Sequence, residues 1–241
     1  MSRPRADTLV LCYHAVGAGR SLLEISAELL DRQLRWLMAH GYTGATFSEA
    51  LRRPGRVLSV TFDDASSTVR ETGAPVLRRL ALAGTVFVPV DSVGAPGVLG
   101  WDELRALADE GWEIGSHTIA HLRLPTVADA ELDEQLRGSR AAIEEALGRP
   151  CRSLAYPYGE VDQRVVRAAA AAGYETACLV GDAGALRGPL ACPRVGLSSR
   201  DGWLGFRLKI SPAVRSARTS NRVRPLESLA RRARDRRGAD A

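Results

Sequence analysis

The sequence contains no long hydrophobic run. Met1 to Asp7 are polar and carry two arginines, and the apolar stretch behind them is only Leu9, Val10, Leu11, Cys12 and Tyr13. That is too short for a signal peptide or a membrane span, so a cytoplasmic location is expected. Cysteine is scarce and unpaired. Cys12, Cys151, Cys178 and Cys192 are widely scattered, show no Cys-x-x-Cys spacing and mostly sit in apolar, strand-like stretches. Buried free thiols in a reducing compartment follow from that pattern. No internal repeat is visible. Histidine is also rare, with four in the chain.

The net charge of +5 is unevenly placed. From Gly205 to the C-terminus there are eleven Arg or Lys and three Asp or Glu, a tail charge of +8, which leaves about −3 for residues 1–204. The basic character therefore belongs to the tail, and a basic globular face for nucleic acid is not expected. With 241 residues, 45% of them hydrophobic, the chain can bury one full core. The division expected is a catalytic domain over residues 1–208 and a basic, partly helical or disordered tail over 209–241. That tail is expected either to lie against an anionic membrane surface on its inner face or to stay solvated. Arg224 to Arg237 is the stretch that would form a basic helix.

Short apolar runs alternate with longer segments of helical period, the pattern of a parallel sheet or barrel. The strand candidates are Thr8 to Tyr13, Val57 to Phe62, Thr85 to Val90, Trp112 to Ser116, Ser153 to Tyr156, Glu175 to Val180 and, more weakly, Cys192 to Leu197. Ser26 opens a helix that Gly41 follows, and further helices are expected over Glu71 to Leu82, Trp101 to Glu110, Ala128 to Leu147 and Val161 to Ala172. Gly84, Gly111, Gly148 and Gly173 mark their ends. The fold class expected is α/β, a closed or nearly closed, distorted βα barrel.

The residues able to do chemistry sit at strand ends, where barrel enzymes place them. The strand Val57 to Phe62 runs into Asp63 and Asp64. Adjacent carboxylates repel, and a cation beside them or a raised pKa on one resolves the conflict; a solvated Asp-Asp turn is the plainer account. Another strand leads into Ser116-His117-Thr118-Ile119-Ala120-His121. Gly115 favours a strand-to-loop turn over a helix there, and either brings two imidazoles to one ion. Such a pair taken alone is as often incidental, but beside an Asp pair it favours a metal. Two imidazoles and a carboxylate leave coordination positions open, as in a catalytic site. The same ligands serve non-haem iron oxygenases, whose jelly-roll scaffold conflicts with this βα alternation. Tyr156-Pro157-Tyr158-Gly159 fixes a turn whose backbone N–H groups can face a ligand. His14 ends the first strand, where it either caps the strand or works.

Together these elements resemble the polysaccharide deacetylases, the NodB homology domain or carbohydrate esterase family 4, over roughly Thr8 to Leu208. The resemblance is carried by Thr61-Phe62-Asp63-Asp64 and Ser116 to His121, with Tyr156 to Gly159 in support. It implies a (β/α)7-type barrel and a metal-dependent hydrolase that removes acetyl groups from N-acetylated sugars, whether polymeric, oligomeric, or lipid- or nucleotide-linked. By the same resemblance Asp63 is the general base, and Asp64, His117 and His121 hold a divalent metal, zinc first, with Co2+, Ni2+, Mn2+ or Fe2+ as substitutes. The Tyr158 backbone N–H is then an oxyanion donor.

Two departures from the family pattern stand out. No histidine follows His121, so the general acid falls to His14, as in the poly-N-acetylglucosamine deacetylase branch. Ala155 stands where the family often has an arginine that contacts the base, and Arg194 is the candidate to replace it. Two other readings are a hydrolase of a small cytosolic amide, since fold alone does not set substrate, and a catalytically weak sugar-binding protein. The intact set of Asp63, Asp64, His117 and His121 argues against the second.

Overall fold

The computed structural model describes residues 7–18, 21–181, 186 and 188–219. Alternating apolar runs become strands because their in-pointing and out-pointing side chains both find cover, one set inside a barrel and one beneath helices. The strands are β1 (Asp7–Tyr13), β2 (Ala15–Val16), β3 (Glu24–Ile25), β4 (Thr43–Gly44), β5 (Arg56–Phe62), β6 (Thr85–Val88), β7 (Glu113–Ser116), β8 (Ser153–Ala155), β9 (Thr176–Val180) and β10 (Cys192–Gly196). The helices are α1 (Ala27–Ala39), α2 (Phe47–Ala50), α3 (Ala74–Arg79), α4 (Trp101–Asp109), α5 (Asp129–Leu147), α6 (Gln163–Ala171), α7 (Gly202–Ile210) and α8 (Pro212–Thr219).

The order β1-β10-β9-β8-β7-β6-β5 is parallel throughout and closes through a β1–β5 pairing, with the short β4 added against β5. This is the expected closed seven-stranded barrel with its surrounding helices. All seven strand candidates form barrel staves.

Barrel closure sets which residues meet at the mouth. In β1, Leu9, Leu11 and Tyr13 face the helix layer, where the Tyr13 hydroxyl donates to Gln33 of α1 at 2.7 Å. Alternation then turns Val10, Cys12 and His14 inward, and in β5 Ser59, Thr61 and Asp63. Inside, Val10, Phe87, Ala155 and Cys178 pack around Phe47. Phe47 comes from α2, which the sequence pattern did not announce, and it plugs the lower end; its N–H donates to Thr85 Oγ1 at 2.9 Å. The candidate site residues Asp63, Asp64, His117 and His121 follow the C-terminal ends of β5 and β7, at the opposite, upper mouth.

Ser26 caps α1 as expected, accepting from the Leu29 N–H at 3.2 Å. The helix expected over Glu71 to Leu82 differs. It begins as a π-turn at Val69–Gly73 and stops at Arg79, with Ala81 at φ 54°. Leu80 and Leu82, on either side of that turn, still pack against the core, so their apolar character reflects tertiary burial rather than a continuing helix. Gly84, read as the end marker of that helix, instead clears space: a Cβ there would lie 2.5 Å from the Trp112 ring. Gly115 is as tight, and on two sides, with a Cβ meeting Ser153 Oγ at 2.5 Å and the Phe87 ring at 2.6 Å. Gly115→Ala therefore overpacks the interior two residues below His117, and a loss of about 1–3 kcal/mol in urea unfolding is expected.

The expected domain limit after residue 208 falls inside α7. Phe206 and Ile210 of that helix are buried, and Trp203 and Phe206 pack edge-on against Trp36 of α1. Arg215 in α8 donates to Asp7 Oδ1 and the Thr8 carbonyl, both at 2.9 Å, tying α8 to the start of the barrel. The basic helix expected at 224–237 lies outside the described residues. No helix among the described residues is long and apolar enough to cross a membrane.

Candidate metal centre at the barrel mouth

Asp64, His117 and His121 each offer one ligand atom, and the three atoms lie within 4.8 Å of one another. Asp64 Oδ1 is 3.7 Å from His117 Nε2 and 3.6 Å from His121 Nε2, and the two nitrogens are 3.1 Å apart. Two nitrogens bound to one tetrahedral ion at about 2.05 Å each stand about 3.3 Å apart, so these spacings bracket what a shared ion requires. The proton arrangement agrees. His117 Nδ1 donates to the Ala155 carbonyl at 2.7 Å, which in the neutral ring leaves Nε2 as a lone pair facing the other two groups. Burial pushes the His117 pKa down, against the pull of Asp63, and holds the ring neutral. The donor set thus fits a divalent cation of intermediate softness.

The loops carrying these groups, and the turn at Tyr158, are held in an uncommon conformation. Asp64, Ala65, Thr118, His121 and Tyr158 all have φ between 50° and 70°, and among the described residues Ala81 alone joins them as a non-glycine residue with positive φ. Strain of this kind persists where the surroundings over-determine it, and it clusters at functional sites. The surroundings are visible here. Gln135 of α5 accepts from the N–H groups of Ile119 and Ala120 at 3.1 and 2.9 Å, and Thr118 Oγ1 accepts from the His121 N–H at 3.1 Å. Ser116 Oγ accepts from the Thr118 N–H at 3.0 Å.

Asp63 is a different kind of carboxylate from its neighbour. It is 3% exposed, whereas the Asp64 side chain is 42% exposed. Arg194, also 3% exposed, grips it with both prongs, Nη1 to Oδ1 at 2.7 Å and Nη2 to Oδ2 at 2.6 Å, and Nη1 also donates to Thr61 Oγ1 at 2.9 Å. Burial alone would raise the Asp63 pKa, but the guanidinium overrides it and holds the carboxyl well below its ordinary range. Asp63 Oδ2 also comes within 3.9 Å of His117 Nε2. Arg194 thus makes the contact to Asp63 expected of it where Ala155 stands in place of the family's arginine, while Ala155 meets His117 through its carbonyl.

His14 follows β1, which lies between β5 and β10. The Asp63 N–H donates to the Tyr13 carbonyl at 3.0 Å, so His14 and Asp63 emerge side by side. Tyr158 has φ 59° and ψ 3°, and its ring packs edge-on against His121 with centroids 4.6 Å apart, under the Arg123 guanidinium. Gly159 must be glycine: at φ 68° a Cβ would fall 2.6 Å from the Val180 carbonyl oxygen. Cys12 was read only as a buried thiol. Its Sγ–H points at Asp63 Oδ2 at 3.4 Å. The signal for it was present, since Cys12 shares the inward face of β1 with His14.

The fold and site define an α/β barrel protein with a candidate divalent-metal centre at its C-terminal mouth and an arginine-clamped carboxylate beside it. Comparison with known proteins narrows this. The polysaccharide deacetylase family profile matches residues 50–177, more than half of the chain, and the chain belongs to that family. YxkH of Bacillus subtilis (strain 168), assigned to the polysaccharide deacetylases, is 26% identical over 173 residues, covering 69% of this chain and 62% of that protein. A poly-beta-1,6-N-acetyl-D-glucosamine N-deacetylase of Staphylococcus aureus (strain N315) is 25% identical over 155 residues, 56% of this chain and 53% of its own length. The chain therefore spans between half and two thirds of these curated relatives. The crystal structure of BC0361, a polysaccharide deacetylase from Bacillus cereus, superposes with a TM-score of 0.75 at 28% identity, covering 85% of this chain and 69% of that one. His14 and Arg194 both lie outside the stretch that the family profile matches.

Proposed function

We propose that the protein is a metal-dependent carbohydrate N-deacetylase that hydrolyses the acetamide of an N-acetylated sugar. The observation that carries this reading is the division of labour between adjacent carboxylates, with Asp64 grouped with two imidazoles and Asp63 withheld from that group by Arg194. Amide hydrolysis needs a nucleophile, an oxyanion site and a proton for the leaving nitrogen. A divalent ion held by Asp64, His117 and His121, zinc by first expectation, would supply Lewis acidity and lower the pKa of water.

The remaining work falls to the chain's own groups. Asp63, ionised because Arg194 holds it so, accepts the proton of the attacking water. Its weak basicity suits a water that is already acidified. The Tyr158 N–H donates to the oxygen that becomes negative, an interaction worth about 3 kcal/mol in comparable sites. His14, at the mouth beside Asp63, gives a proton to the departing sugar nitrogen. The family membership and the named activity of the staphylococcal relative support an N-acetylglucosamine-containing substrate.

The test is acetate release from N-acetylglucosamine oligomers and lipid-linked N-acetyl sugars, using protein stripped by a chelator and then resupplied with zinc. Release should vanish on stripping and return with zinc. A protein that binds zinc yet releases no acetate from any of these substrates would overturn the reading.

A further inference from the structure

We propose that Cys12, His14 and Asp63 form a second divalent-cation site at the barrel mouth, selective for thiophilic ions such as Zn2+ or Cd2+ and silencing the neighbouring centre when filled. Cys12 Sγ, a ring nitrogen of His14 and a carboxylate oxygen of Asp63 all lie within 4.8 Å of one another. The thiol and the carboxylate already have the right spacing. Their atoms are 3.4 Å apart, and tetrahedral bonds of about 2.3 Å to sulfur and about 2.0 Å to oxygen would separate them by about 3.5 Å. His14 adds an independent sign. Its Nδ1 is buried and meets no hydrogen-bond partner among the described residues, a costly condition for a polar atom that a cation bound at that nitrogen would relieve.

The donor chemistry separates the two sites. Asp64, His117 and His121 present only nitrogen and oxygen, whereas the second group contains sulfur and so prefers softer ions. It is also the weaker of the two. Arg194 already places a positive charge on Asp63, and Cys12 is fully enclosed, which favours its protonated form. Binding must expel the thiol proton to solvent as the sulfur–metal bond forms, so the second site fills only when metal is in excess. Once filled, it occupies both the proposed base and the proposed acid. That inhibitory consequence rests on the proposed function, but the existence of the site does not.

Cobalt titration of the metal-stripped, full-length protein tests the site directly. The first equivalent should give visible ligand-field bands without thiolate-to-cobalt charge transfer. Further cobalt should bring up the near-ultraviolet charge-transfer band. Cys12→Ser should lose that band and keep the visible bands of the first equivalent, which also report that the variant is folded. Cys178→Ser and Cys192→Ser should retain both, and His14→Gln should require more cobalt to develop the charge-transfer band.

Absence of the charge-transfer band from the unmodified protein at excess cobalt would overturn the proposal whatever the variants do, as would its persistence in Cys12→Ser. A protein that shows the band but never releases acetate overturns the deacetylase reading alone. One that releases acetate without ever showing the band overturns the second site alone.

Discussion

Asp63→Asn is expected to retain bound metal and lose about 10²–10⁴-fold in turnover, whereas His117→Ala loses the metal and the turnover together. The contrast follows from position. His117 Nε2 faces Asp64 and His121 at ligand spacing, so its removal takes one donor from a set of three. Asp63 is turned away into the grip of Arg194. Asparagine keeps an acceptor for one prong of that arginine but not the charge, so some loss of stability accompanies the loss of rate. Turnover should therefore be measured per mole of bound metal, with metal content read by elemental analysis. Loss of metal from Asp63→Asn with retention by His117→Ala would reverse the assignment of ligand and base.

Arg194→Ala has the largest expected effect on stability and the most distinctive effect on pH dependence. Removing one member of a fully buried ion pair leaves the other uncompensated, at a cost of about 3–5 kcal/mol. For a chain of this size that corresponds to a fall in Tm of about 6–20 °C. The sign of the pH effect follows from the opposing influences on Asp63. Burial raises its pKa, while Arg194, with His117 and His14 behind it, lowers it past the ordinary value, so deleting the arginine removes the largest lowering influence and moves the pKa up.

The acidic limb of the kcat/KM profile should then move to higher pH, because the proposed base must be ionised to work. Arg194→Lys, which keeps the charge and loses the two-pronged geometry, should restore part of that shift. In the unmodified protein the Asp63–Arg194 pair contributes stability that is fully present above the unfolded carboxyl pKa of about 3.9, and that is lost as pH falls from there toward the lower folded value. An Arg194→Ala protein with unaltered activity and pH profile would show that the clamp has no bearing on catalysis.

Strand positions and the two motifs at strand ends were legible in the sequence because each depends on neighbours in the chain. The period-two alternation that turns Leu9, Leu11 and Tyr13 outward also turns Cys12 and His14 inward. Asp63-Asp64 and the His117 to His121 spacing likewise lie within single turns following β5 and β7. Helix limits were less legible where packing replaced local order. Leu80 and Leu82 flank the turn at Ala81, and both pack against the core there without a continuing helix.

What the sequence by itself determined was the barrel's seven staves and the donors able to hold a metal, because both are written in short-range patterns of polarity. Only the tertiary structure decided how those donors are oriented and charged. Arg194 reaches Asp63 across 131 residues because β10 lies against β1 and β1 against β5, with Leu11 opposite both Val195 and Val60. The Ala155 carbonyl fixes the His117 ring across 38 residues, through the pairing of β7 with β8. Cys12 approaches Asp63 by the same β1–β5 register, with Cys12 opposite Thr61. Barrel closure converts such distant positions into neighbours, and no local pattern of residues records which distant strand will close against which.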